Sequence, residues 1–311
     1  MADCVIVQPI CPIGVAKLHD AGYSVFEAPT PDLDSMRDEL AKALCVITRN
    51  AGFSDAQLRA APHLRVIGVH GTGMDRIDLH EVQTRGIRVV NTPGTNARSV
   101  AEHALSLMLA LSKSLPASDS AVRAGAFDFR ERANVIELGE RRLGLVGWGR
   151  VAQELAALAQ ALGMRVSVVS AHADEAALVS RGVHKVGTLD DLCSESDVLS
   201  LHTVPQNSPL IDARRLGLMP KGAFLINTAR AALVDNAALA ETLRTGHLGG
   251  AGIDVFAPEP PDRNDPLLGE CHNLILTPHI AGSSRQALQR TALEVAQKVL
   301  VALNEQRSPY Q

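Results

Sequence analysis

Short apolar runs alternate with amphipathic segments along the whole chain. Runs rich in Val, Ile and Leu predict strands at 4–7, 23–28, 44–48, 64–69 and 87–90. Helices are predicted between them over 13–21, 35–43 and 55–60, the first stopped by Gly22. A glycine loop, Gly71-Thr72-Gly73, follows the fourth strand. A longer helix is predicted over 99–111, then a polar stretch over 112–140 containing Pro116, Gly125 and Gly139. A second series follows, with strands at 143–146, 165–169, 198–202, 223–227, 252–255 and 274–276. Its helices fall over 151–162, 174–181 and 235–244, and a long helix over 283–304 ends the pattern. Uniformly apolar strands alternating with helices predict an α/β fold of two units, each a parallel sheet covered on both faces.

Composition narrows the function classes. Hydrophobic residues make up 46% of the 311, enough to fill a core and to exclude wholesale disorder. Thirty Lys+Arg against 34 Asp+Glu give a net charge of -4, so no nucleic-acid partner is expected. Aromatics at 3% leave little for base- or sugar-stacking platforms. The cysteines, Cys4, Cys11, Cys45, Cys193 and Cys271, are odd in number and show no CxxC spacing, which predicts reduced thiols rather than a disulfide framework or zinc site. The start, MADCVIVQPI, lacks a basic signal-peptide region. No apolar stretch reaches the ~18 residues a bilayer span requires. A cytoplasmic protein without a membrane partner is expected.

Candidate chemistry begins at the segment Leu143-Gly144-Leu145-Val146-Gly147-Trp148-Gly149-Arg150-Val151-Ala152. It matches the GxGxxG/A turn between a predicted strand and a predicted helix. Gly147 permits a tight turn, Gly149 lets the backbone approach a pyrophosphate, and Ala152 lets the helix pack on the sheet. The helix N-terminus then offers N–H groups to the phosphates. The next strand would end in an acid if it bound the adenosine ribose, but it ends in Ser170-Ala171-His172. Asp174 and Glu175 come later and start a helix. Without the acid, a 2′-phosphate meets no repulsion, and Ser170 and His172 can hydrogen-bond it. The expected cofactor is NADP or NAD, with a lean towards NADP. In the alternative, Ser170 merely ends the strand and either cofactor is accepted.

Three later segments each place a polar group after an apolar strand: Ile226-Asn227-Thr228-Ala229-Arg230, Gly252-Ile253-Asp254-Val255-Phe256-Ala257-Pro258-Glu259-Pro260, and Leu276-Thr277-Pro278-His279-Ile280-Ala281-Gly282. Ligand sites of open α/β sheets lie beyond strand C-termini, so the three are expected to converge. Reduction of a 2-oxo acid suits these residue types. Arg230 offers a planar fork to carboxylate and carbonyl oxygens. His279 can donate the proton. Glu259 beside the imidazole would fix its orientation and stabilise the imidazolium. Any one of them alone is more often a surface or ion-pair residue; the combination with a dinucleotide turn carries the reading.

With these motifs in place, the chain resembles the D-2-hydroxyacid dehydrogenase family over essentially its whole length. VGWGRVA, NTAR, GIDVFAPEP and TPHIAG occur in the family's order and approximate spacing, and GTGMDRID and NTPGTNARSVAEH match upstream. The resemblance implies catalytic roles for Arg230, Glu259 and His279. The expected cofactor contacts are Gly147, Gly149, Arg150, Val151, Ser170, His172, Thr203, Pro205, Thr228, Ala229, Asp254 and Gly282, and the resemblance implies that Asp254 and the Thr228-Ala229 backbone hold the nicotinamide end. It implies substrate contacts from Thr72 and Gly73, joined by Arg49, Arg230 and His279. A Rossmann cofactor domain over 98–282 would be inserted into a flavodoxin-like substrate domain made of 1–97 and 283–311, with hinges near 95–97 and at Gly282.

The helix over 99–111 and the arm after it resemble the family's dimerisation elements. Leu105, Leu107, Met108, Leu109 and Leu111 surround that helix, so a homodimer is expected; the alternative is burial within the same chain. Three departures stand out: Ser170 where many members carry an acid, His70 beside the substrate loop, and Ala231 where many carry glycine. Glu259 argues against the formate dehydrogenase branch, which uses an amide there. The absence of an extra C-terminal regulatory module disfavours the long phosphoglycerate dehydrogenases. The expected substrate is a small 2-oxo acid of the glyoxylate or hydroxypyruvate class. A short 3-phosphoglycerate dehydrogenase is the alternative, needing extra cations of which Arg49, Arg76 and Arg98 are candidates. A cofactor-sensing regulator with idle chemistry is the alternative from another class.

Overall fold

The computed structural model describes residues 2–305 apart from 270 and 272, so 1 and 306–311 of the expected substrate domain lie outside the described residues. The chain divides into two compact units, Met1–Asn96 with Ser283–Gln311, and Ala97–Gly282.

The first unit is built on β1 (Cys4–Ile6), β2 (Val25–Glu27), β3 (Cys45–Thr48), β4 (Val66–Val69) and β5 (Arg88–Asn91). All pair in parallel, in the order β2-β1-β3-β4-β5. This is the flavodoxin-like order, with the reversal at β1. Alternate residues of the strands feed two cores. Val5, Val46 and Ile67 pack with Met36, Leu40 and Leu58 on one face. Ile6, Cys45 and Ile47 pack with Leu18, Val295 and Val299 on the other, where the helix Arg285–Glu305 returns to close the layer. Helix Asp55–Ala60 starts on a capping box: Gln57 N donates to Ser54 Oγ, and Ser54 N donates to Gln57 Oε1.

The second unit carries β6 (Arg142–Val146), β7 (Arg165–Val169), β8 (Val183–Lys185), β9 (Val198–Leu201), β10 (Phe224–Asn227), β11 (Gly250–Ile253) and β12 (Leu274–Leu276). Their order is β12-β11-β10-β9-β6-β7-β8, again all parallel. The dinucleotide-binding order follows, with the reversal between β6 and β9. Leu143, Leu145, Leu155 and Ala156 form one core with the helix Ala97–Ser112. Leu107, Met108 and Leu111 of that helix are buried in this core, and Leu105 and Leu109 pack half-buried against it. Its apolar belt is therefore largely covered within its own unit.

Several elements escaped the sequence pattern. β8 reads Val-His-Lys, a single apolar residue on an edge strand with one neighbour. Helices Leu79–Thr84, Leu189–Glu195 and Ala213–Leu218 are a turn or two long, too short for a helical period to stand out. Helix Leu115–Arg123 lies in the polar stretch, has no buried residue, and leaves Leu115 and Val122 exposed. No helix among the described residues is long and apolar enough to cross a membrane.

Candidate active site

The glycine turn lies where the order of the second sheet reverses. Gly147 follows β6 with φ +96°, a left-handed conformation that suits glycine. A Cβ there would fall 2.5 Å from the carbonyl oxygen of His202, just past β9. Helix Arg150–Ala161 starts at once, with Gly149 as its N-cap and Ala152 buried against the sheet. A Cβ on Gly149 would meet nothing within 4 Å, so the face before the helix N-terminus is open. Arg150 is exposed there; Val151, Thr203 and Pro205 are half-buried. At the end of β10, the buried Thr228 Oγ1 has no hydrogen-bond partner. An open glycine face over unpaired helical N–H groups, and a buried hydroxyl awaiting a partner, fit a dinucleotide with its phosphates on the helix.

The residues expected to hold the adenosine end of such a ligand follow β7. Ser170 is half-buried, and its Oγ accepts from His172 N at 3.4 Å; the His172 side chain is exposed. Asp174 accepts from Ala177 N at 2.9 Å and so caps the helix Glu175–Val179. One cation here was missed by sequence reasoning. Lys185, the last residue of β8, donates from Nζ to the carbonyl of Ala173 at 3.3 Å. Only the pairing of β8 with β7 brings it to this loop.

The three dispersed segments leave adjoining strands. Asn227 ends β10, Ile253 ends β11 and Leu276 ends β12, and they are neighbours in register. His279 Nδ1 and Glu259 Oε1 lie 2.8 Å apart, with the His279 side chain one-third exposed. The same Glu259 oxygen accepts from Phe256 N at 3.3 Å. A carboxylate only accepts, so Nδ1 donates the hydrogen and Nε2 is left for a ligand. Arg230 is half-buried; its Nη1 donates to the carbonyl of Ala229, and Asn227 Nδ2 donates to the carbonyl of Arg230, at 2.8 and 2.9 Å. Asp254, expected at the nicotinamide end, is fully buried and occupied with its own chain: it accepts from Thr277 Oγ1, Ile280 N and Ala281 N. Gly282 is half-buried at the end of the unit.

The remaining expected residues belong to the first unit. Arg49 Nη1 donates to the carbonyl of Pro9 at 2.9 Å. Thr72 is exposed; its carbonyl accepts from Asn91 Nδ2 at 2.9 Å, and Thr92 Oγ1 accepts from Gly71 N at 3.0 Å, so β5 braces the Gly71-Thr72-Gly73 turn. His70 is buried, with Nε2 unpaired. Burial, and then the Arg49 charge beside it, push His70 down to about 4. The unfolded chain protonates this group near pH ~6.5. Its contribution to stability is therefore complete above that pH and is lost as pH falls towards the folded value. Melts across this window should lose about 2–3 kcal/mol at His70, and His70→Leu should flatten the slope by that share. An unchanged slope in the variant would show that His70 is not held neutral.

The comparisons show the family. Residues 105–281 match the family model described as "D-isomer specific 2-hydroxyacid dehydrogenase, NAD binding domain". The chain is 35% identical over 301 residues to the D-3-phosphoglycerate dehydrogenase of Mycobacterium tuberculosis, covering 96% of this chain and 56% of that protein. It thus spans little more than half the length of that relative. The TT0316 protein from Thermus thermophilus superposes with a TM-score of 0.87 at 32% identity, covering 97% of each chain. D-lactate dehydrogenase from Aquifex aeolicus, complexed with NAD and lactic acid, superposes with a TM-score of 0.85 at 30% identity, covering 97% of this chain and 95% of that one. The fold and the site together define a nicotinamide-dinucleotide-binding α/β protein. This chain belongs to the D-isomer specific 2-hydroxyacid dehydrogenase family.

Proposed function

We propose that this chain is an NAD(P)-dependent dehydrogenase that reduces a small 2-oxo acid, of the glyoxylate or hydroxypyruvate class, to the D-2-hydroxy acid. The observation that carries the reading is the 2.8 Å contact between His279 Nδ1 and Glu259 Oε1, on loops leaving neighbouring strands. The glycine turn, the open face at Gly149 and the unpaired Thr228 hydroxyl would hold a nicotinamide dinucleotide. When bound, that group supplies hydride chemistry. His279 holds a proton at Nε2 and delivers it to the oxygen that becomes the alcohol; in the oxidative direction the same nitrogen takes it back. Glu259 keeps the imidazole in one orientation and offsets its positive charge. Arg230 presents its guanidinium to the carboxylate and carbonyl oxygens of the acid. Arg49, Thr72 and Gly73 are retained as substrate-binding residues, the turn offering backbone N–H groups to the carboxylate.

NADP(H) is the proposed cofactor. Ser170 replaces the ribose-binding acid, Asp174 is committed to a helix cap, and Lys185 supplies a positive charge to the loop between them. A homodimer is proposed, with the exposed Leu115, Val122, Phe127 and Val135 of the arm covered by a second copy. A second reading takes 3-phosphohydroxypyruvate as the substrate, favoured by the activity named for the Mycobacterium tuberculosis relative.

One assay series separates these readings. Consumption of NADPH and NADH is followed with glyoxylate, hydroxypyruvate, pyruvate and 3-phosphohydroxypyruvate. The expected result is the highest kcat/KM with glyoxylate or hydroxypyruvate, and a preference for NADPH. A dominant rate with the phosphorylated acid would favour the second reading. No turnover with any of them, despite tight cofactor binding, would leave a regulator. A monomer in sedimentation of the same preparation would remove the dimer.

A further inference from the structure

We propose that His103 is a positioning residue for His279, acting through Thr277 and Asp254; the proposal rests on the dehydrogenase reading for its effect on rate. His279 has φ +53°, in the left-handed region that residues with a Cβ enter rarely. Surrounding contacts must hold such a conformation. Asp254 does so from both sides: its Oδ1 accepts from Thr277 Oγ1 at 2.6 Å and from Ile280 N at 2.9 Å, and its Oδ2 accepts from Ala281 N at 2.9 Å. The carboxylate is fully buried, so these donors and its neighbours replace water entirely.

His103 completes that shell. Its Nε2 lies 3.0 Å from Thr277 Oγ1 and 3.6 Å from Asp254 Oδ1. Thr277 has one hydroxyl hydrogen, and Asp254 takes it. The Thr277 oxygen can then only accept, which places a hydrogen on His103 Nε2. The result is a directed chain from His103 to Thr277 to Asp254, and Asp254 also accepts from the Ile280 and Ala281 amides that follow His279. The helix Ala97–Ser112 also grips the other end of the turn. Ser99, one helical turn before His103 and on the same face, donates from Oγ to the carbonyl of Ala281 at 2.6 Å. The segment 277–281 is thus fastened at both ends to one helix. His103 touches no reacting atom; it determines where His279 Nε2 points.

The test compares His103→Leu with His103→Gln in the full chain. The Gln amide nitrogen can still donate to Thr277; Leu cannot. His103→Leu should lower kcat about tenfold to a hundredfold, because small misplacements of a reacting group are costly. KM and NADPH affinity should hold within about twofold, the latter read from quenching of Trp148, the one tryptophan, in the glycine turn. Amide exchange at Ile280 and Ala281 should rise about tenfold. His103→Gln should restore both rate and protection. The proposal is overturned if His103→Leu keeps the wild-type kcat and exchange, if His103→Gln fails as His103→Leu does, or if exchange rises evenly across Ala97–Gly282. If the wild type turns over no oxo acid, the dehydrogenase reading fails by itself. Exchange at the two amides then still decides whether His103 holds the turn.

Discussion

His279→Ala is expected to lower kcat by about three orders of magnitude, within the range a positioned general acid contributes. The argument starts from the ring. Its Nδ1 is committed to Glu259 and its Nε2 is the nitrogen left for an incoming oxygen. The Ala variant removes the only proton donor assigned to that oxygen and leaves the glycine turn, Thr228 and the helix N-terminus untouched. NADPH affinity should therefore stay within about twofold, since none of the proposed binding groups is altered. Glu259→Gln separates orientation from charge. An amide oxygen can still accept from Nδ1, but it no longer offsets the charge on the imidazolium, so a loss of about a hundredfold is expected. Steady-state rates under saturating cofactor, paired with calorimetric titration of NADPH, check both. A His279→Ala enzyme with near-normal kcat would remove this residue from the chemistry, and one that lost cofactor binding instead would assign it a structural role.

Much of this arrangement is legible in residue order because a parallel α/β sheet turns order into position. Each apolar run, such as Leu143–Val146 or Leu225–Asn227, ends on the same edge of the sheet, so polar residues that follow strands share one side. Arg230, Glu259 and His279 each follow such a strand. What residue order does not carry is pairing across strands and packing from helices. Lys185 reaches the loop after β7 only because β8 lies beside β7, and a Val-His-Lys run gives no period to detect. His103 sits in a helix whose sequence advertises its leucines, and its partner, Thr277, is 174 residues away. Asp254 carries something the motif does not spell out: its carboxylate is buried and accepts from Thr277, Ile280 and Ala281. A buried carboxylate must collect donors wherever the chain supplies them, and only the folded structure says which.

Gly147→Ala and Gly149→Ala should fail in different ways, although the two glycines are two residues apart in one motif. Gly147 needs φ +96°, and a Cβ there would lie 2.5 Å from a backbone carbonyl that cannot swing aside. Strain and clash together should cost about 2–4 kcal/mol, lowering the melting temperature along with cofactor binding. Gly149 has φ -76° and ψ -178°, extended backbone open to any residue, and its Cβ would meet no protein atom within 4 Å. Only a ligand lying across the helix N-terminus could meet that methyl group. Gly149→Ala should therefore keep the wild-type melting temperature while weakening NADPH binding about thirtyfold or more, as expected when phosphates are pushed off donor N–H groups. Thermal melts and calorimetry on the two variants measure both quantities. If Gly149→Ala bound NADPH as tightly as the wild type, the dinucleotide would not lie on this turn, and the hydride-transfer reading would lose its cofactor site. If both variants melted early, the glycines would be serving the fold alone.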